Sequence, residues 1–150
     1  MSNGTSVKKR NGSIEPLNLE KIHRMVEEAC EGLAGVSASQ VEIQSGIQFY
    51  DGITTAEIQE ILIRSASDLI TLDNPNYQYV ASRLLLFSVR KSLYGRLREL
   101  PTLEEHIVSC VSQEVYDPDI YNKYSLEEIR KADSFLDHGR DFLFLSLIHI

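Results

Sequence analysis

The stretch TTAEIQEILIRSASDLI, residues 54–70, holds the cleanest helical stripe in the sequence. Thr54 and Glu57 have the spacing of a capping box, in which each side chain satisfies a backbone N–H at the start of a helix. Ile58, Ile61, Leu62, Ser65, Ala66 and Leu69 then recur at three- and four-residue intervals, which puts them on one helical face. The same signal returns along the chain. Asn18 precedes Leu19, Ile22, Val26, Ala29, Cys30 and Leu33 at helical spacing, with Gly32 and Gly35 near the end. Ser37 and Gln40 have capping-box spacing and open a weaker helix toward Phe49 that contains Gly46. Asn74-Pro75 reads as a cap followed by proline at the first helical position. The helix it opens runs to Tyr94-Gly95, with apolar residues on more than one face (Tyr79, Val80, Ala81, Leu84 to Phe87), so it belongs at the centre of a bundle. Thr102 with Glu105 and Ser125 with Glu128 start two shorter helices, joined by a Tyr-, Asp- and Pro-rich connection, Tyr116 to Tyr124. The chain is therefore mainly α, with a boundary expected near Gly95 to Pro101.

The opening departs from this pattern. In VKKRNGSIEPL, Asn11-Gly12 favours a two-residue turn with positive φ between strands Val7–Arg10 and Ser13–Leu17. Pro16 cannot donate to a ladder and confines the second strand to an edge. Lys8, Lys9 and Arg10 are either edge protection or the start of an anion site. The second reading gains from the helix N-terminus that follows, where free amides and the dipole favour negative charge. Lys21, a cation in the first turn, calls for an anionic partner, and phosphate would serve. Thr54 is accounted for as a cap, which leaves Thr55 for a ligand. Arg90-Lys91 complements the dipole at the end of the fourth helix.

Charge narrows the function classes. The chain carries −7 overall, which argues against broad nucleic-acid or anionic-membrane binding. Residues 1–24 hold five cations against two anions, +3, leaving −10 for the rest. Cys30 and Cys110 are far apart and read as reduced thiols of a cytoplasmic protein. No leader and no membrane span is expected. The four histidines form no HxxxH or HExxH, so no metal is predicted. GxSxG, P-loop and GxGxxG patterns are absent, and no catalytic constellation is expected.

VKKRNGSIEPLNLEKIHR, QFYDGITTAEI, NYQYVASRLLLFSVRK and YGRL together resemble the N-terminal ATP-cone of the large subunit of class I ribonucleoside-diphosphate reductase. The similarity continues through YDPDIYNKYSLEEI and FLDHGRDF, over about residues 5 to 144. It implies a four-helix bundle capped by a small β-sheet or hairpin (residues 1–95), followed by short helices of the reductase N-terminal region (96–144). It also implies ATP as activating and dATP as inhibiting effector, with Mg2+ an optional companion ion. Carried over by position, Lys9, Arg10 and Lys91 would hold phosphates. Glu15, Pro16, Leu17 and Asn18 would wrap the adenine, with Leu17 and Ile22 over its face, and Lys21 and Thr55 would reach phosphate and sugar. Leu19, Glu20 and Gln59 complete the set. Close bacterial members commonly carry histidine at position 59 and an aromatic residue at position 28, where this chain has Gln59 and Glu28. Partners implied are a second large subunit and the radical-carrying small subunit, with neither nucleic acid nor membrane.

The family's active-site cysteines and barrel lie beyond residue 150, so the chain as given is expected to be inactive as a reductase. The resemblance stops at Phe144. Leu145 to Ile150, LSLIHI, is what one frame of a common transposase-adapter sequence encodes, and a non-native tail is expected there. Rival classes are a nucleic-acid-binding helical protein using Lys8 to Arg10, a ligand-free helical interaction module, and a reductase-gene repressor, whose zinc ribbon this sequence lacks. Exposed apolar surface is expected at Phe135, Leu136 and Phe142.

Overall fold

The computed structural model describes residues 4–145; most of the LSLIHI stretch, residues 146–150, lies outside the described residues. Three strands and seven α-helices are described: β1 (Ser6–Lys8), β2 (Ile14–Pro16), α1 (Leu19–Cys30), α2 (Ala38–Gly46), β3 (Ile53–Thr54), α3 (Thr55–Asp68), α4 (Tyr77–Tyr94), α5 (Leu103–Ser112), α6 (Ile120–Lys123) and α7 (Leu126–Asp133). A 3-10 segment, His138–Leu143, follows. The architecture is mainly helical with a small sheet, as expected. Among the described residues no helix is long and apolar enough to cross a membrane.

The hairpin differs from expectation by one residue. Val7 pairs with Glu15 and Lys8 with Ile14, which leaves three residues, Arg10 to Gly12, in the loop. Lys9 N–H donates to Ser13 O at 2.8 Å and Gly12 N–H to Lys9 O at 2.9 Å. Gly12 alone of the loop takes positive φ, +85°. This is a type I turn closed by a glycine bulge, the three-residue alternative to the expected two-residue turn. A one-residue slip exchanges the faces of a strand. Here it sets Glu15 opposite Val7, whose side chain is 6% exposed.

The sheet order is β2-β1-β3, with β3 parallel to β1 in the register Val7↔Ile53 and Lys8↔Thr54. β1 is thus the central strand, so Lys8 does not protect an edge, while Lys9 and Arg10 lie beyond it toward the turn. Pro16 does end an edge strand, β2, as its missing donor requires. Asp51 ties the third strand in: its carboxylate accepts from the Ser6 N–H and hydroxyl, both at 2.7 Å.

The described residues divide into two compact units, 4–89 with 142–145, and 90–141. In the first, α1 packs on α2 and α2 on α3. The core comprises Ile22, Val26 and Ala29 of α1, Val41 of α2, Ile58, Leu62 and Ala66 of α3, and Tyr77, Val80, Ala81, Leu84 and Phe87 of α4. The Thr54–Glu57 capping box is formed. Ser37 makes no side-chain cap; instead the buried Tyr77 hydroxyl accepts from Ser37 N–H at 3.0 Å and donates to Gln40, the residue expected to complete that box. The α2 helix ends at Gly46 rather than near Phe49. The α4 helix begins at Tyr77 and not at Pro75, because the first turn closes by i to i+3 bonds from Gln78 and Tyr79 to Pro75 and Asn76. It ends as expected, with Gly95 at φ +70° donating to Lys91 O.

In the second unit α5 packs on α7, both opened by the expected capping boxes. Arg130 spans to Glu104 with two hydrogen bonds (2.7 and 3.3 Å), and Asp133 accepts from Leu103 N–H at 2.7 Å. Arg90, 8% exposed, pairs with Asp141 at 2.8 Å. Phe135 and Leu136 are exposed as expected (77% and 51%). Phe142 is not: it belongs to the first unit, half-buried, with its ring edge-on to Phe87 at 6.0 Å.

Candidate functional site

Residues paired across strands share a face of the sheet. Val7, 6% exposed, and Ile53, fully buried, mark the face turned to the core, and Glu15 lies on it opposite Val7. Lys9 is two residues beyond Val7 on that face. Its Nζ meets Glu15 Oε2 at 2.6 Å, a diagonal pair bridging the hairpin. The Lys9 hydrogen bond holds the Glu15 carboxyl below the usual carboxylate range, with a smaller pull from the nearby Lys21 charge. A carboxylate on the edge strand and two cations from different elements are therefore neighbours.

The parallel register brings the second group. Lys8 and Thr54 are partners, so Lys9 and Thr55 are each the next residue along the chain from that pair. Thr54 is occupied: its hydroxyl accepts from Glu57 N–H at 3.1 Å, and the Glu57 carboxylate accepts from its N–H and hydroxyl. Tyr50 donates to the same carboxylate at 2.8 Å. The Thr54 hydroxyl and N–H, then Tyr50, keep Glu57 ionised below its ordinary range. Thr55, half-buried, is the first residue of α3, and Gln59 one turn on shares its helix face and is 6% exposed.

The third element is the start of α1. Leu17 N–H donates to Thr5 O at 2.8 Å, which fixes the exit from β2. Asn18 caps α1 by accepting from Lys21 N–H at 3.0 Å. Leu19 is 64% exposed, Glu20 pairs with Arg24 on the outer face, Lys21 is exposed, and Ile22 turns into the core at 9%. Arg10 lies in the exposed turn beside Lys9, and Pro16 is exposed on β2.

Of the residues expected from the sequence, Lys9, Arg10, Glu15, Pro16, Leu17, Asn18, Leu19, Glu20, Lys21, Ile22, Thr55 and Gln59 come from three adjoining elements of the first unit. Lys91 is half-buried in the last turn of α4, within the second unit. Two contributors went unnoticed in the sequence. Strand β3 is two residues long, too short for periodicity, although the β-branched pair Ile53-Thr54 after Gly52 is a weak signal. The Ser6–Asp51 clasp carries no local signal at all.

Chemically, the arrangement offers point charges on a turn and a helix start, a hydroxyl at a second helix start, a buried carboxamide, and the half-buried apolar side chain of Leu17. That set suits a polyanion: the cations meet its charge, and the hydroxyl and carboxamide can hydrogen-bond to it. It holds no nucleophile paired with a base.

The chain is 49% identical over 144 residues to ribonucleoside-diphosphate reductase 1 subunit alpha of Escherichia coli (strain K12), covering 96% of this chain and 19% of that protein. It is 47% identical to the protein of the same description from Salmonella typhimurium and 46% identical to ribonucleoside-diphosphate reductase subunit alpha of Haemophilus influenzae, with the same coverage. The chain thus spans about a fifth of the length of the curated relatives it matches. Residues 5–92, which take in the sheet and α1 to most of α4, match the family described as ATP cone domain, and the chain belongs to that family.

Proposed function

We propose that this chain is the allosteric activity module of a ribonucleoside-diphosphate reductase large subunit, binding ATP as activator and dATP as inhibitor. The observation that carries the reading is the parallel pairing of Lys8 with Thr54, one residue before Lys9 and Thr55, together with the ion pair of Glu15 with Lys9 across the hairpin. Lys9, Arg10 and Lys21 meet the phosphates. Glu15 to Asn18 wrap the adenine, Leu17 and Ile22 cover its face, and Thr55 and Gln59 take the sugar side. Glu15 acts as a preset counter-ion that a phosphate replaces at Lys9. Discrimination follows from differential binding: the 2′-hydroxyl must favour one conformation of the cone and its absence another, since a ligand that binds both equally shifts nothing. The parent protein is a reductase assembled from large and small subunits, with residues 1–95 as the regulatory domain.

Calorimetric titration of the chain with ATP, dATP and GTP tests this. The reading expects saturable binding of ATP and dATP and not of GTP. Lys9→Ala is expected to weaken binding about 10- to 100-fold, the size of a lost charge-assisted hydrogen bond, and Thr55→Ala by about 3- to 10-fold. Equal affinity for GTP, or binding untouched by both substitutions, would reject it.

A further inference from the structure

Arg83 lies in the apolar run of α4 and is 9% exposed. Its Nη1 donates to Ala29 O at 3.1 Å and Glu31 O at 2.7 Å, carbonyls at the C-terminal end of α1. Its Nε donates to Phe142 O at 3.3 Å, and the guanidinium carbon is 5.6 Å from the centre of the Phe142 ring. That ring stands edge-on to Phe87, and Ser82, beside Arg83, donates its hydroxyl to Phe144 O. These hydrogen bonds answer the charge with carbonyl dipoles at the negative end of a helix. Burial pushes the Arg83 pKa down, partly offset by the charges of Cys30 and Glu31. A helix C-terminus needs only a donor. A planar fork that also holds a segment 59 residues away does more than cap.

We propose that Arg83 is a positioning residue that joins the C-terminal end of α1 to the returning segment at Phe142, so that a ligand held at the N-terminal end of α1 displaces that segment. The proposal rests on the nucleotide reading above. The α1 helix has 12 residues, a rod of roughly 18 Å, with Asn18 and Lys21 at one end and the Arg83 contacts at the other. A tilt set by nucleotide at the first turn reaches the last turn with little loss, because the helix face carrying Ile22, Val26 and Ala29 is packed throughout. Arg83 then passes it to the Phe142 carbonyl.

The test is hydrogen exchange read by mass spectrometry on the whole chain, with and without saturating ATP or dATP, and calorimetry on the same samples. In the wild type, nucleotide is expected to change exchange at residues 142–145 by about threefold or more. Arg83→Lys keeps the charge but cannot reach three carbonyls at once. It should bind nucleotide within about threefold of wild type and lose the change at 142–145. Phe142→Ala, which keeps Arg83, should likewise bind and lose most of the change; it carries the test if Arg83→Lys does not fold. A nucleotide-dependent change of full size in the folded variants would overturn the relay, leaving Arg83 a structural brace. So would wild-type binding that leaves residues 142–145 unmoved. Absence of wild-type binding in the calorimeter would overturn the relay and the functional reading together, and so is told apart from failure of the relay alone.

Discussion

At Gly12 the backbone takes φ +85°, and a Cβ there would meet nothing within 4 Å. The cost of a side chain is therefore conformational and not steric crowding. Gly12→Ala is expected to destabilise the first unit by about 1–2 kcal/mol, measured by chemical denaturation, and Gly12→Asn by less, because asparagine tolerates the left-handed region better. Because the turn fixes the register that brings Lys9 to Glu15, the same variant should also weaken nucleotide binding. Asn11-Gly12 signalled a hairpin in the sequence, but the choice between a two- and a three-residue loop depends on the partner strand. Glu15 opposite Val7 completes a face on which Ile53 is also buried, and no residue of the turn records that.

Helices α1 and α2 are joined by an imidazole as well as by apolar packing. His23 Nδ1 lies 2.7 Å from Glu42 of α2, and Nε2 lies 3.1 Å from Glu27 on its own helix. The hydrogen bond to Glu42, then the Glu42 and Glu27 charges, raise the His23 pKa above its model-compound value of 6.5. A raised folded value means that the pair contributes stability fully below about pH 6.5 and loses it as pH rises through the folded pKa. The His23 titration followed by NMR should therefore shift to lower pH in Glu42→Gln, and by less in Glu27→Gln. The fall in melting temperature between about pH 5.5 and about pH 8.5 should shrink in Glu42→Gln. A His23 midpoint equal in wild type and Glu42→Gln would contradict the geometry. At this scale the sequence was most readable where signals are local. Thr54–Glu57, Thr102–Glu105 and Ser125–Glu128 all form capping boxes. Ser37–Gln40 has the same spacing and fails because the Tyr77 hydroxyl, 37 residues from Gln40, takes both partners. A long-range hydrogen bond to a buried hydroxyl outcompetes a local one that remains open to water.

Over the whole molecule, the helical class, the sheet at the N-terminus and the family were legible, since each rests on repeated short-range patterns or on a long run of quoted residues. What was not legible was how the elements meet. β3 joins the sheet through two residues and the Asp51 clasp, and Arg83 reads in the sequence only as a lone cation in an apolar run. The candidate site inherits this division. Its residues were named from the sequence, while the parallel strand pair that sets Lys8 opposite Thr54 was not. Overall acidity, −7, concentrates the attraction for an anion at the N-terminal cations, consistent with one charged ligand and not an extended polyanion.

An amide NMR titration of the isotopically labelled chain with ATP tests whether the N-terminal cations, the start of α1 and the start of α3 form one nucleotide site. The largest shifts are expected on residues 9–22 and 54–59, in slow or intermediate exchange and saturating together, with α2 and the second unit changing little. Shifts centred elsewhere, or a spectrum unmoved at ATP concentrations that saturate a working effector site, would contradict it.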